Sequence, residues 1–414
     1  MRLLHTSDWH LGQDFYRHDR HFEHKSFLDW LIQVLESEAI DVLLVSGDIF
    51  DTSNPSAAAQ RMFYDFIRRA HQHCKGLQTI VVAGNHDSPG RIEAPAQLLN
   101  EFNVTVVGRV SYEKQKCVSQ LPFIVPLRRR NEEQMSAVCI ALPFLRSADL
   151  QAELMGCTYS EGVIRVYKQA LAQAKELYGN DIPLVAMGHM HASGGKTSEH
   201  SERRLVIGGE EAVALATLSD KFAYVALGHL HLAQSVAGEE HIRYCGSPLP
   251  LSFSEINYPH QVVKVDISTG SAVVQKIFIP RSVEMLRVPS KPQPLPVVLE
   301  ELAQLSLKPL PFEQRPYLEV PVLRDRPLPE LRSQLEETLK DVPVRLTRIV
   351  FSKQEQKERV ESRTPLAGLE SLRTINPVSV LERLHEKKFS QPITEQLRAT
   401  FSEAVREVNS GVEL

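Results

Sequence analysis

The sequence predicts an α/β protein: a mixed β-sandwich flanked by helices, followed by a small α+β module and a helical tail. Three observations predict it. The first 280 residues or so alternate short apolar runs with helical patterns, the order of elements that gives a parallel-containing sheet covered by helices. Twelve of the 25 prolines then fall between Pro280 and Pro343, a composition that marks a linker or domain edge. The last stretch of the chain returns to helical periodicity.

Taken in order, Arg2–Ser7 reads as a strand, and Phe22–Glu38 as a helix whose apolar face carries Phe27, Leu28, Leu31, Ile32 and Leu35. Asp41–Ser46 is a buried strand, Ser56–Ala70 a helix with Met62, Phe63, Phe66 and Ile67 on one side, and Thr79–Ala83 a third strand. Past Phe123 the strands come faster, interrupted by a long helix at Ser160–Leu177, which suggests a mixed sheet or two sheets face to face. Beyond the prolines, strands at Tyr317–Val322 and Val344–Phe351 flank a helix at Pro329–Lys340. The tail reads as two helices, Pro377–Glu386 and one opening at Pro392. In the second, Ile393, Leu397, Phe401, Val405 and Val408 form an apolar stripe. The expected domains are therefore 1–280, 281–375 and 376–414.

At 414 residues, 43% hydrophobic and 24% charged, the chain can bury a sizeable core, which excludes wholesale disorder. No run of about 18 apolar residues offers a membrane span, and the first residues do not read as a secretory signal. Five cysteines (Cys74, Cys117, Cys139, Cys157 and Cys245), odd in number and without a C-x-x-C pair, read as reduced thiols of a cytoplasmic protein. The net charge of −4 argues against gripping nucleic acid by bulk charge. Any such grip must come from a local patch, bound cations or a partner.

The chemistry lies in short polar motifs at the ends of expected strands: Asp8-Trp9-His10, Gly47-Asp48-Ile49-Phe50-Asp51, Gly84-Asn85-His86-Asp87, Gly188-His189 and Gly228-His229-Leu230-His231. In an extended chain residues i and i+2 face the same way, so Asp8 with His10, and His229 with His231, can each aim two ligands at one point. Strand carboxyl ends are where open α/β sheets gather their sites. Carboxylate and carboxamide oxygens with imidazoles, and no thiolate, suit Mn²⁺, Fe²⁺ or Zn²⁺. Seven ligands are too many for one ion and about right for two. Asp48 is the candidate bridge.

This arrangement resembles the calcineurin-like metallophosphoesterase superfamily. Within it, His5–Gln13, Gly47–Pro55, Gly84–Ser88 and Arg243–Pro250 are similar to the bacterial SbcD family of nuclease subunits. The resemblance implies a calcineurin-like sandwich with a capping domain. It implies Asp8, His10, Asp48 and His231 on one divalent ion, and Asp48, Asn85, His189 and His229 on the other. Mn²⁺ is the expected metal, with Mg²⁺, Fe²⁺ or Zn²⁺ as alternatives. His86 would sit beside the scissile phosphate. Asp51, near where archaeal and eukaryotic relatives carry a second histidine, is assigned a supporting role, hydrogen-bonded to His86. The implied activity is 3′→5′ exonuclease action on DNA double-strand ends and endonuclease cleavage of hairpins, with an SbcC ATPase docked on the C-terminal helices. A homodimer within a heterotetramer is implied, with a seam on the first two helices. No G-x-x-x-x-G-K-[ST] loop is present, so ATP hydrolysis would belong to the partner.

Other residues have plainer readings. His191 completes a second G-H-x-H and reads as a loop residue, His71-Gln72-His73-Cys74 as a helix end, His5 as a core residue, and Arg128–Arg130 as a surface loop. The segment holding Arg17, His18, Arg20, His21, His24 and Lys25 reads equally as a phosphate contact or a solvated helix start. Two other functions stay open at this point. One is a different phosphoesterase on the same centre, such as a phosphatase, cyclic-nucleotide phosphodiesterase or nucleotidase. The other is a non-catalytic scaffold for an ATPase.

Overall fold

The computed structural model describes residues 1–110, 123–150, 156–196, 212–268, 271–324, 330–353, 381–382, 385, 391 and 393–410. They fall into two compact units, Met1–Lys353 and Gln354–Leu414.

The first unit is built on two six-stranded mixed sheets. Strands β1 (Arg2–Thr6), β2 (Val42–Ser46), β3 (Gln78–Val82) and β4 (Val104–Val107) run parallel. Antiparallel β11 (Gln261–Ser268) and β12 (Ser271–Phe278) extend the β1 edge. In the second sheet β6 (Met135–Ala141), β7 (Leu184–His189), β8 (Tyr224–Gly228) and β10 (Glu239–Tyr244) are parallel. They are bordered by antiparallel β5 (Ile124–Arg128) and β9 (Gln234–Val236).

Side-chain alternation along each strand makes the layers. Leu3, Val42, Leu44 and Ile80 face the second sheet and pack with Val138, Ile140, Val185 and Val225. Their neighbours Leu4, Leu43, Val45 and Val81 face α1 (His21–Ser37) and α2 (Ala57–His73). Ser56 caps α2, its Oγ accepting from the Ala59 N–H at 3.2 Å. On the far side α5 (Tyr159–Tyr178), opened by a Thr158–Glu161 capping box, buries Val163, Val166, Tyr167 and Ala170. Short helices α3 (Pro89–Glu93) and α4 (Ala96–Asn100) lead from β3 to β4.

The proline-rich stretch is better ordered than a linker. It holds β13 (Met285–Arg287), α6 (Leu295–Ala303), β14 (Tyr317–Arg324), α7 (Leu331–Thr338) and β15 (Arg345–Lys353). The module expected as α+β pairs all three strands in parallel, because each helix serves as the crossover between neighbouring strands. Val298, Leu302, Leu318, Val320, Val322 and Leu335 form its core.

In the second unit, α8 (Glu395–Ser410) begins three residues after Pro392, and Arg398 pairs with Glu382 at 3.0 Å. Most of the helix expected at Pro377–Glu386 lies outside the described residues. Cys74, Cys139 and Cys245 are buried free thiols, whereas Cys117 lies outside the described residues. No helix among the described residues is long and apolar enough to cross a membrane.

Candidate metal centre

All seven expected ligands sit at or just beyond the carboxyl ends of parallel strands: Asp8 and His10 after β1, Asp48 after β2, Asn85 after β3, His189 ending β7, and His229 and His231 after β8. The first two loops are zipped together by main-chain bonds from Asp8 N to Gly47 O and from His10 N to Asp48 O, both 3.0 Å. Convergence of the i and i+2 ligands does not come from an extended chain, as alternation alone suggested. Asp8, His10 and Asp48 have φ of 54°, 46° and 48°, and His229 has 106°, so the chain reverses at the ligands themselves. Such backbone is costly for residues with a side chain and gathers at functional sites. What holds the first reversal is Trp9, fully buried between Asp8 and His10. Its ring lies 5.2 Å from Phe66 and 5.8 Å from Phe27, and its Nε1–H donates to Thr6 Oγ1 at 2.9 Å. Gly84 is required by close approach, since a Cβ there would stand 2.1 Å from Asp48 Oδ1.

The donors form overlapping groups that meet at Asp8, His10 and Asp48. Liganding atoms of Asp8, His10 and His231 lie within 4.8 Å of one another, as do those of Asp8, Asp48 and His189, and those of His10, Asp48 and His86. On the other side, Asn85 Oδ1 stands 3.0 Å from His189 Nε2 and 3.1 Å from His229 Nδ1. Asp48 Oδ1 accepts the His86 N–H at 2.8 Å. Its Oδ2 lies 3.7 Å from His10 Nε2 and 3.4 Å from His189 Nε2.

His189, His10 and His231 are held from behind. His189 Nδ1 donates to Ser46 O at 2.9 Å, which leaves Nε2 for the centre. His10 Nδ1 meets Asp51 Oδ1 at 3.2 Å, and His231 Nδ1 meets Glu255 Oε1 at 3.2 Å. Asp51 is hydrogen-bonded to His86 through its main chain, His86 Nδ1 donating to Asp51 O at 2.6 Å. Its carboxylate meets His10 where the two ligand loops are tied together, Asp51 N donating to Leu11 O beyond the end of β1. His86 is half-buried, its ring 4.8 Å from that of His10.

The charges suit cations. Burial opposes ionisation of Asp48, but His189 outweighs it and holds the carboxyl below the usual carboxylate range. Burial likewise works against a charged His189, yet Asp48 lifts it to about 9. For Asp8 burial dominates and pushes the carboxyl up. Burial, then the His189 charge, pushes His229 down to about 3, leaving it a neutral donor. The His10 Nε2 atom is buried and makes no hydrogen bond. An orphaned imidazole nitrogen between buried carboxylates fits divalent cations, which compensate what burial costs such groups.

Residues 1–233 match the calcineurin-like phosphoesterase family, and residues 281–389 match the type 5 capsule protein repressor C-terminal domain. The chain is 40% identical over 362 residues to the SbcD subunit of the SbcCD nuclease of Rhodobacter capsulatus, covering 86% of this chain and 88% of that one. The chain belongs to the SbcD family of calcineurin-like phosphoesterases. It is 33% identical over 404 residues to the SbcD protein of Escherichia coli K12, covering 94% and 95% of the two chains. Against the SbcD protein of Bacillus subtilis the identity is 34% over 286 residues, covering 67% and 70%. The family match and the clustering of carboxylate and imidazole donors together support divalent metal ions at this centre.

Three supporting groups escaped the sequence reading. Asp87 is fully buried and accepts from Gly84 N, Ile49 N and Phe50 N at 2.8, 3.2 and 3.0 Å, tying two ligand loops together. Its place in Gly84–Asp87 was the available signal. Ser7 Oγ donates to Asp8 Oδ2 and lies 3.0 Å from Cys245 Sγ. Glu255 lies outside every ligand motif. Of the basic segment, Arg20 is buried in a bidentate pair with Glu23, at 2.8 and 2.9 Å, and also donates to Pro250 O. It is therefore closed to phosphate, whereas Arg17 and Lys25 are exposed.

Proposed function

We propose that this protein is a Mn²⁺-dependent DNA nuclease that works with an SbcC-type ATPase, degrading double-strand ends 3′→5′ and opening hairpins. The observation that carries the reading is Asp48, whose Oδ2 faces the His10 side and the His189 side at once. Two divalent ions bound there would supply an activated water and charge neutralisation for hydrolysis of a phosphodiester. Asp8, His10, Asp48 and His231 would hold one ion, and Asp48, Asn85, His189 and His229 the other. His86, at the rim, donates a proton to the leaving oxygen or stabilises charge there. Asp51 orients His10 with its carboxylate and His86 with its main chain.

Residues 1–280 carry the nuclease centre, 281–375 cap it, and 376–414 bind the ATPase through helices such as α8. The relatives named for the SbcCD nuclease support that partner, and a net charge of −4 is consistent with much of the DNA grip coming from it. A homodimer within a heterotetramer completes the assembly. The groove between α2 and α4, about 570 Å³ and lined by Tyr64, Ile67, Leu98, Leu99 and Phe102, extends the apolar surface of the first two helices as its seam. The location is cytoplasmic, at the nucleoid.

The test is digestion of end-labelled duplex and hairpin DNA with and without SbcC, ATP and Mn²⁺, beside a small phosphomonoester. Shortening from 3′ ends and hairpin opening that need Mn²⁺ and the partner are expected. Turnover of the monoester with intact DNA would replace the reading by a phosphatase.

A further inference from the structure

Resting on that reading of the centre, we propose that Glu255 is a positioning residue that sets the tautomer and aim of His231. Glu255 closes a short 3₁₀ turn, Phe253–Glu255, that follows the Gly246–Pro250 loop. It is fully buried, an expensive place for a carboxylate unless both oxygens are used. Oε1 meets His231 Nδ1 at 3.2 Å, and Oε2 accepts the Leu251 N–H at 2.7 Å. Accepting from Nδ1–H leaves the unprotonated Nε2 lone pair of His231 for the cation that Asp8 and His10 also face.

The turn that carries Glu255 is itself clamped. Phe253 packs 5.4 Å from the Phe15 ring, and its carbonyl accepts from Arg287 Nη2 at 3.1 Å. Arg20 holds Pro250 O at 2.8 Å. The carboxylate is therefore delivered to His231 on a rigid support rooted outside the ligand motifs.

Glu255→Gln separates positioning from packing. The Leu251 N–H still needs an acceptor, so the carboxamide oxygen stays there and the NH₂ turns to His231. That forces the proton onto Nε2, the nitrogen the cation needs. Glu255→Ala removes the carboxylate without imposing the wrong tautomer. Positioning predicts that Glu255→Gln weakens binding of one Mn²⁺ by about 10–100-fold, and by at least as much as Glu255→Ala does. A packing role predicts a harmless Gln and a damaging Ala.

The measurement is Mn²⁺ titration of the metal-free intact chain, following free Mn²⁺ by electron paramagnetic resonance, with thermal melts of each variant. ¹⁵N-histidine resonances of the metal-free wild type, assigned with His231→Asn, should show His231 protonated at Nδ1. This readout needs no Glu255 variant to fold. Unchanged Mn²⁺ affinity in a folded Glu255→Gln, or a wild-type His231 protonated at Nε2, overturns the proposal. A wild-type chain that binds no Mn²⁺ at all would overturn the reading of the centre on which it rests.

Discussion

The two halves of the metal centre are backed differently. On one side, His10 and His231 lean on buried or half-buried carboxylates, Asp51 and Glu255. On the other, His189 leans on the main-chain carbonyl of Ser46, and His229 turns its Nδ1 toward Asn85. A carboxylate behind an imidazole raises its basicity and can be tuned by substitution, whereas a strand carbonyl fixes orientation and admits no tuning. One half is thus adjustable through side chains on loops, and the other is set by the end of β2. Asp48 belongs to both.

The largest expected effect comes from removing what the halves share. Asp48→Asn should lower turnover by about a thousandfold or more, the several kcal/mol that two-ion charge stabilisation supplies, and should loosen both ions in a Mn²⁺ titration. Loss of one ion with the other unchanged would break the symmetry assigned to Asp48. His86→Gln should cost about 10²–10⁴-fold in kcat, the range for a proton donor, while Mn²⁺ affinity stays as in the wild type. A loss of affinity there would make His86 a ligand, an outcome its place near His10 and Asp48 puts directly to the test. Asp51→Asn is smaller, about 10-fold in the affinity of the first ion, because the carboxamide oxygen can still accept from His10 Nδ1. A null effect on Mn²⁺ affinity with a changed pH profile of kcat would return Asp51 to His86 alone.

The contrast between the halves also measures what sequence can reveal. The convergence of the candidate ligands was legible because each sits where a strand of correct periodicity ends, beside glycines such as Gly47, Gly84 and Gly228 that admit tight backbone. Helices α1, α2 and α5 were legible from their apolar faces, to within a few residues at each end. Of the carboxylates behind the imidazoles, Asp51 was expected in a supporting role but behind His86, not His10, and Glu255 was not expected at all. Glu255 meets His231 across 24 residues of chain, and no local pattern encodes a loop closure. Arg20 looked open to phosphate because its partner Glu23 is a helix neighbour like any other. Only the fold brings Tyr317, whose hydroxyl donates to Glu23 Oε2 at 2.7 Å, across 294 residues to seal the pair. The three-residue β13 was hidden among prolines.

A last effect distinguishes the halves by protons. In the metal-free protein Asp48 lifts His189 to about 9, after burial has pulled it down, so its imidazole is charged at neutral pH. A cation entering that half must displace the proton. Affinity for this ion should therefore rise with pH from 6.5 to 8.5, by up to about tenfold per unit, and calorimetry in buffers of different ionisation enthalpy should count about one proton released. His229, held near 3 by burial, has no proton to give in this range. The sign for stability is opposite. A histidine raised above its unfolded value contributes stability that is full below about 6.5 and lost as pH climbs through about 9. The metal-free chain should accordingly melt earlier on going from pH 6.5 to 9, and His189→Asn should flatten both slopes. Proton release that survives this substitution would move the titrating group to the carboxylate-backed half.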